Sequence, residues 1–165
     1  MGIRLRRTSA ADLDFVLAAE YAPDNRSYIN PWTREQHVQA LSNDDLAHFI
    51  IETDTDGQPI GYIILAGLAQ GHQSIEFRRI VITAKGQGYG KAALRLVKTL
   101  AFEEWQAHRL WLDVKEHNAR ARHVYAVEGF IVEGLLRECL KTEDHFESLV
   151  IMSMLSHGYE KSKKA

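Results

Sequence analysis

The segment from Lys85 to Ala92, KGQGYGKA, has the composition of a loop that binds phosphate. Three glycines alternate with larger residues between two lysines. Because glycine has no Cβ, backbone N–H groups in such a loop can approach an anion closely, and a following helix adds the positive end of its dipole. The residues expected to form this cradle are Lys85, Gly86, Gln87, Gly88, Tyr89, Gly90 and Lys91.

The elements around the loop place it between a strand and a helix. The stretch QSIEFRRIVIT before it is rich in β-branched residues and predicts a strand, and GYGKAALRLVKTLAFEEWQ after it has apolar residues at helical spacing. The next stretch, HRLWLDVK, predicts a second strand. A strand–helix–strand crossover of this kind joins two parallel strands.

The whole chain predicts a single mixed α/β domain. The predicted order is a strand, two helices, three strands, the glycine-loop helix, a strand, a short helix and two final strands. Seven strands in this order indicate an antiparallel meander joined to one parallel pair. We expect the domain to span residues 1–158, with a flexible tail over residues 159–165.

Two common phosphate loops fit the segment less well. A Walker loop requires glycine where Lys85 stands and serine or threonine where Ala92 stands. The stretch from Gly88 to Ala93 does match a dinucleotide fingerprint, and Asp113 ends the next strand. A doubly wound domain would need further strand–helix repeats after Asp113, which the chain does not show, so an NAD(P)-binding protein is the weaker alternative.

Two motifs together resemble a known superfamily. Lys85, Gly88 and Gly90 fit the pattern of a basic or glutamine residue, two residues, glycine, one residue, then glycine or alanine. The later stretch NARARHVYAVEGF has asparagine, alanine, tyrosine and Gly-Phe at matching intervals. This pair of motifs resembles the GCN5-related N-acetyltransferase (GNAT) superfamily, and most closely its branch of spermidine and ribosomal-protein alanine acetyltransferases.

The resemblance implies an acyltransferase fold that uses acetyl-coenzyme A as cosubstrate and an amine as acceptor. The strand Ile80, Val81 and Ile82 would pair with the pantetheine arm, and a backbone N–H near Ile80 or Val81 would stabilise the negative oxygen that develops on the acetyl group. Asn118 would contact coenzyme A, and Tyr125 would contact it and protonate its departing thiolate. The acceptor would be a polyamine, another small amine or a protein N-terminus.

A base is needed because an alkyl ammonium has a pKa of about 10.4 and must lose a proton before it attacks. We expect Glu76 to take this proton and to bind the acceptor, since it lies on the strand that leads into the glycine loop. The resemblance implies that the loop containing Tyr28 and Trp32 covers the acceptor site. A domain that binds coenzyme A without catalysis, as a sensor, is the other alternative.

Composition excludes several other classes. The net charge of −2 argues against a general nucleic-acid binder, and no apolar stretch is long enough to span a bilayer. The eight histidines show no metal-binding spacing, so we expect no metal. The single Cys139, expected to be buried, and the lack of a signal-peptide pattern favour the cytoplasm. The resemblance also allows a homodimer.

Overall fold

The computed structural model describes residues 2–164 and contains a sheet of seven strands. The strands are β1 (Ile3–Arg7), β2 (Leu46–Thr53), β3 (Pro59–Ala66), β4 (Ser74–Ile82), β5 (Arg109–Lys115), β6 (Ile131–Lys141) and β7 (Phe146–Leu155). The helices are α1 (Leu13–Tyr21), α2 (Pro23–Arg26), α3 (Arg34–Leu41), α4 (Tyr89–Thr99), α5 (Ala119–Val127) and α6 (Ser156–Lys163). A single 3₁₀ turn, Ala10–Asp12, precedes α1.

The sheet confirms the predicted mixed architecture. Its strand order is β1-β2-β3-β4-β5-β7-β6, and within residues 2–164 the only parallel pair is β4 with β5. That pair is joined by the crossover through α4, as the sequence predicts. The sheet has one crossover rather than the repeated crossovers of a doubly wound domain, which argues against the dinucleotide-binding alternative.

The parallel pair is short, and this opens a cleft. β4 and β5 are paired only from Ser74–Arg109 to Glu76–Trp111, over three residue pairs. Beyond that point β4 continues to pair with β3, while β5 pairs with β7 on its other side. The edge of β4 that faces β5 is therefore unpaired over residues 77–82, so its backbone groups are free to bind an extended ligand.

Two apolar clusters cover the two faces of the sheet. The larger cluster lies beneath α4 and contains Leu110, Leu112 and Val114 of β5. The smaller cluster lies beneath α1 and joins Leu13 and Val16 to strand residues of β2, β3 and β4. Because neighbouring residues of a strand point to opposite faces, each cleft residue can be assigned to one of these two faces.

Three parts of the chain differ from the sequence expectation. The glycine-loop helix ends at Thr99 and continues as one π turn, Leu100–Glu104, before the chain turns at Gln106, whose φ is +55°. The loop after α1 contains the short α2. The tail expected to be flexible from residue 159 instead forms most of α6, because Tyr159 is buried, stacks on Phe102 and donates a hydrogen bond to Glu103.

Two further observations concern the surface. Cys139 is exposed on the edge strand β6, so the expectation that it is buried is wrong. β6 is an edge strand that pairs with β7 in the described sheet, and all but one of its residues are exposed. Among residues 2–164, no helix has the length and apolar character needed to cross a membrane.

Candidate active site

The glycine loop leads into the N-terminus of α4 and forms an open cradle. Gly86 and Gly88 have φ values of +74° and +77°, a left-handed conformation that glycine adopts without strain, and Gly88 is the N-cap of α4. A Cβ placed on Gly86, Gly88 or Gly90 would find no other atom within 4 Å, so the loop faces open space. These features fit the binding of a phosphate or pyrophosphate at a helix N-terminus.

The cradle opens into a cleft of about 880 Å³ between β4 and β5. Most of the residues expected to bind cofactor or acceptor line it: Tyr28, Ile80, Ile82, Lys85, Gly86, Gly88, Tyr89, Gly90, Lys91, Asn118 and Tyr125. Four expected residues are not in its lining. Val81 is buried against the α1 cluster, Trp32 packs against that same cluster, and Gln87 and Glu76 lie outside the walls.

Cationic side chains concentrate where the cradle meets the cleft. Lys85, Lys91 and Arg120 all line this end. Lys85 Nζ donates a hydrogen bond to Asn25 Oδ1 on α2, and desolvation lowers the pKa of Lys85, although the charge of Asp24 opposes this. The two remaining cations have no carboxylate within salt-bridge distance among residues 2–164, so they are available to an anionic ligand.

Tyr125 lies on α5, which the second motif positions. Asn118 is the N-cap of this helix, and its Oδ1 accepts a hydrogen bond from Ala121 N at 3.2 Å. Tyr125 packs against Phe130 with ring centroids 5.9 Å apart and lines the cleft. Burial, together with the negative charge of Asp113, raises the pKa of Tyr125 to about 12. Its hydroxyl is therefore protonated at neutral pH.

Two carboxylates lie near the point where β4 and β5 separate. Glu76 is held by Arg78, whose Nη2 donates to Glu76 Oε1 at 2.9 Å. Asp113 lines the cleft, and desolvation and the nearby charge of Glu76 raise its pKa. In the sequence, Asp113 stands out only as part of a dinucleotide fingerprint. The signal for its place in the cleft was its position two residues before the end of β5.

The segment between α1 and α3 forms one wall of the cleft, and Arg79 braces it. Arg79 Nη1 donates to Glu20 Oε2 at 2.7 Å, and Arg79 Nη2 donates to the carbonyl oxygen of Asn30 at 2.7 Å. The guanidinium lies 5.0 Å from the centre of the Trp32 ring. The backbone N–H of Trp32 also donates a hydrogen bond to Glu20 Oε2, at 2.8 Å. Trp32 thus anchors the wall and does not form its surface.

A chain of buried polar groups supports Glu20. His37 contacts Glu20 Oε1 through Nε2, and its Nδ1 lies 3.1 Å from His48 Nε2. His48 Nδ1 lies 2.8 Å from Thr8 Oγ1. Burial and the neighbouring His37 lower the pKa of His48 to about 4, so it is neutral at physiological pH. Burial alone would raise the pKa of Glu20, but His37, the Trp32 N–H and Arg79 hold it below its ordinary value.

A second brace holds the same wall further along the chain. Lys115 Nζ donates to the carbonyl oxygen of Ser27 at 3.1 Å and lies 3.3 Å from Glu147 Oε1. Tyr28 packs against His117 with centroids 5.7 Å apart, and His117 also contacts Glu147. The sequence gives no local signal for either brace, because their partners lie far apart in the chain.

Several further carboxylates that could bind the charges of a polyamine do not converge on the cleft. Of Asp24, Glu35, Glu143 and Asp144, only Asp24 lines the cleft, and Asp144 pairs with its neighbour His145. Within residues 2–164, no three His, Cys, Asp or Glu side chains are grouped in a way that could hold a metal ion.

Comparison with known proteins agrees with this geometry. Residues 15–130 match the model of the Acetyltransferase (GNAT) family. Spermidine N(1)-acetyltransferase of Escherichia coli K12 is 27% identical over 95% of this chain and 88% of its own length. A putative ribosomal N-acetyltransferase of Bacillus subtilis is 32% identical over 66% of this chain and 60% of its own length.

Solved structures show the same fold. Spermidine N-acetyltransferase from Vibrio cholerae in complex with CoA and spermine has a TM-score of 0.86, with 24% identity, over 96% of this chain and 98% of that one. A dodecameric structure of the Vibrio cholerae enzyme has a TM-score of 0.80, with 23% identity, over 95% of each chain.

The family match covers more than half of the chain, including β4, the glycine loop, α4, β5 and α5. These are the elements that form the cradle and carry Tyr125 to the cleft. The chain therefore belongs to the GNAT family, and it is an N-acetyltransferase whose acetyl donor is acetyl-coenzyme A.

Proposed function

We propose that the protein transfers an acetyl group from acetyl-coenzyme A to a primary amine by direct attack of the amine. The observation that supports this is the convergence in one cleft of an anion cradle, an unpaired strand edge, a protonated tyrosine and the carboxylate of Asp113, with Glu76 close to Asp113 but outside the lining. The single cysteine, Cys139, is exposed on β6 and does not line the cleft, so the proposal uses no acyl-cysteine intermediate.

The residues present fit the acetyl donor. Gly86, Gly88 and the N-terminus of α4 would hold its pyrophosphate, with Lys85 and Lys91 supplying positive charge. The unpaired edge of β4 from Ile80 to Ile82 would pair with the pantetheine amides. When bound, acetyl-coenzyme A supplies an activated thioester carbonyl and a thiolate leaving group.

The carboxylate pair takes the proton from the acceptor ammonium. Asp113 lines the cleft and has a raised pKa, so its basicity is closer to that of an amine than an ordinary aspartate's. Glu76 lies near Asp113 and is held by Arg78. Glu76 takes the proton itself, or its negative charge makes Asp113 a stronger base. We propose both residues as the base site.

Tyr125 gives a proton to the departing sulfur. Its raised pKa keeps it protonated while the amine is losing a proton, which is the state that a general acid requires. A backbone N–H of β4, near Ile80 or Val81, stabilises the negative oxygen that develops on the acetyl group. Tyr28 forms part of the acceptor wall, and Trp32 positions that wall from behind.

The experiment is to mix the protein with acetyl-coenzyme A and amines of three kinds, namely a polyamine, a monoamine and a peptide N-terminus, and to measure free thiol. Thiol release that depends on an amine supports the proposal. Stabilisation by acetyl-coenzyme A without thiol release for any amine would favour a sensor, since a ligand that binds the folded state raises the melting temperature.

We also propose that the protein assembles with copies of itself through β6. This edge strand exposes Ile131, Val132, Leu135 and Leu136, which is more apolar surface than an unpaired edge usually shows. A relative with the same fold has been solved as a dodecamer. A cytoplasmic location completes the proposal and is consistent with a chain whose one cysteine, Cys139, is a free thiol.

A further inference from the structure

The two faces of the sheet divide the cleft into a donor side and an acceptor side. On β5, Leu112 and Val114 point into the core beneath α4, so Asp113 and Lys115 point to the face covered by α1 and α3. Tyr125 packs on the α4 side, where the cradle also lies. The side with Asp113 is defined here as the acceptor face.

Other strands extend the acceptor face. On β7, Val150 and Met152 point into the core beneath α4, so Glu147 and Leu149 lie on the acceptor face. Leu140 of β6 is paired with Glu147 and shares its face. Glu76 of β4 is paired with Trp111 of β5. Trp111 and Asp113 are two residues apart in β5 and therefore lie on the same face, so Glu76 also lies on the acceptor face.

Three of the four carboxylates on the acceptor face form ion pairs with arginine or lysine side chains of the same chain. Glu20 is paired with Arg79 at 2.7 Å, Glu76 with Arg78 at 2.9 Å, and Glu147 with Lys115 at 3.3 Å. Asp113 alone among these four carboxylates has no ion pair or side-chain hydrogen bond to another residue in the described range 2–164. The face therefore offers a substrate cation one uncompensated negative charge.

Besides Asn30, Arg78, Arg79 and Lys115, the rest of the acceptor wall is lined by apolar residues. Tyr28 and Ile29 come from the braced segment after α1, and Leu140 and Leu149 come from the last two strands. The remaining cleft carboxylate, Asp24, acts on Lys85 at the cradle end. A second ammonium on the acceptor would therefore lie near apolar side chains and the cations Arg78 and Lys115. This ammonium would lose its hydration without gaining a carboxylate partner, which costs free energy.

We propose that the acceptor is a primary amine with a single positive charge on an alkyl or aromatic body, and not a polyamine. This inference rests on the proposed amine acetylation and specifies its substrate class. The ammonium pairs with Asp113 and gives up a proton to the carboxylate pair, while the body of the molecule contacts Tyr28, Leu140 and Leu149. Acetyl transfer then forms the new N–C bond as the C–S bond breaks, with Tyr125 protonating the sulfur.

The test compares two amines of equal length that differ in one charge, hexylamine and hexamethylenediamine, with phenethylamine and spermidine as further members of each class. We expect kcat/KM to favour hexylamine over the diamine by about tenfold or more, which corresponds to about 1.4 kcal/mol. Equal or better use of the diamine or spermidine would overturn this inference and leave amine acetylation intact. No thiol release with any amine would overturn both.

A variant tests whether ion pairing on the acceptor face determines which amine is used. Arg78→Gln releases Glu76 and removes a cation, so the preference for hexylamine over the diamine is expected to fall by about tenfold. Arg4→Gln is the matched control, because it removes one of two cations from Glu52, outside the cleft, and is expected to leave the ratio unchanged. An unchanged ratio in Arg78→Gln would show that charge pairing on this face does not select the acceptor.

Discussion

Asp113 acts on Tyr125 across the cleft in a way that suits acid–base chemistry. Burial and the negative charge of Asp113 keep the Tyr125 hydroxyl protonated, and desolvation keeps Asp113 more basic than an ordinary aspartate. A general acid must be protonated, and a general base deprotonated, before the reaction begins. The two residues come from different elements, α5 and β5, and both line the cleft.

Replacing Tyr125 by phenylalanine removes the hydroxyl while retaining the ring that packs on Phe130. We expect kcat to fall by about 100-fold or more, the usual contribution of a general acid, while acetyl-coenzyme A still raises the melting temperature. Tyr159→Phe is a suitable control, since Tyr159 is also buried but its hydroxyl binds Glu103 away from the cleft. Retained turnover in Tyr125→Phe would remove the proposed acid.

Asp113→Asn tests the base through its pH dependence. A carboxylate base is active only when deprotonated, so activity should decline as pH falls through the pKa of Asp113, which is raised above its ordinary value. In Asp113→Asn we expect a large loss of kcat/KM and the disappearance of that acidic limb. Glu76→Gln should retain the limb but shift it to lower pH, because the charge of Glu76 contributes to the raised pKa. A limb that is unchanged in Asp113→Asn would exclude Asp113 as the base.

At the scale of elements, the acceptor wall depends on buried contacts that hold an irregular segment in place. The segment from Ala22 to Thr33 has only the short α2 as regular structure, so its position must come from side-chain contacts. Arg79 fixes its middle and Lys115 fixes Ser27. Both cations use carbonyl oxygens, so the wall is held by its backbone and its side chains remain free to contact a substrate.

Glu20→Gln tests this brace without altering the cleft surface, because Glu20 is fully buried and does not line the cleft. Loss of the carboxylate charge weakens its hold on Arg79 and the Trp32 N–H. We expect KM for the amine to rise by about tenfold, with KM for acetyl-coenzyme A nearly unchanged, since small misplacements of a binding wall are costly.

Glu52→Gln is the matched comparison for that variant. Glu52 is also buried and also paired with arginines, through Arg4 at 2.7 Å and Arg6 at 2.9 Å, but it lies away from the acceptor wall. It should lower stability to a similar degree without changing the ratio of the two KM values. Identical kinetic effects in the two variants would mean that Glu20 contributes only to stability.

At the scale of the whole molecule, β6 is the part of the sheet that remains incomplete. Its side chains are exposed on both faces of the sheet at all but one position, and in the described sheet it is the last strand, next to β7. Its pairing with β7 is also interrupted by two shifts in register. An apolar edge of this kind is stable in water when a second chain covers it.

The double substitution Val132→Lys and Leu135→Lys places two charges on one face of β6, because a register shift after Val132 puts both residues opposite β7 residues that share a face, Met152 and Val150. We expect the assembled protein to shift toward smaller species in analytical ultracentrifugation, since buried unpaired charges oppose association. Val38→Lys on α3, an equally exposed apolar position, should leave the distribution unchanged. If the double variant has the same mass as the parent protein, β6 is not the contact surface.

Much of the architecture follows from local patterns in the sequence. The apolar runs of β2, β3 and β7, the helical stripe of α4 and the glycines of the cradle depend on backbone geometry within a few residues, so they can be predicted without tertiary information. The intervals that bring Asn118 to the start of α5 and Tyr125 to its cleft side are also local. The sequence alone therefore determined the fold class, the cradle and the proposed acid.

The tertiary structure decided the charge pattern of the acceptor side. Glu20 and Arg79 are 59 residues apart in the chain, and Lys115 and Ser27 are 88 residues apart, so no local pattern indicates either contact. A carboxylate is available to a substrate cation only if no cation from a distant part of the chain forms an ion pair with it. Glu76, expected from the sequence as the base, is paired with Arg78, whereas Asp113, seen in the sequence only as part of a dinucleotide fingerprint, has no ion pair within residues 2–164. Only folding brings opposing charges within a few ångströms of each other.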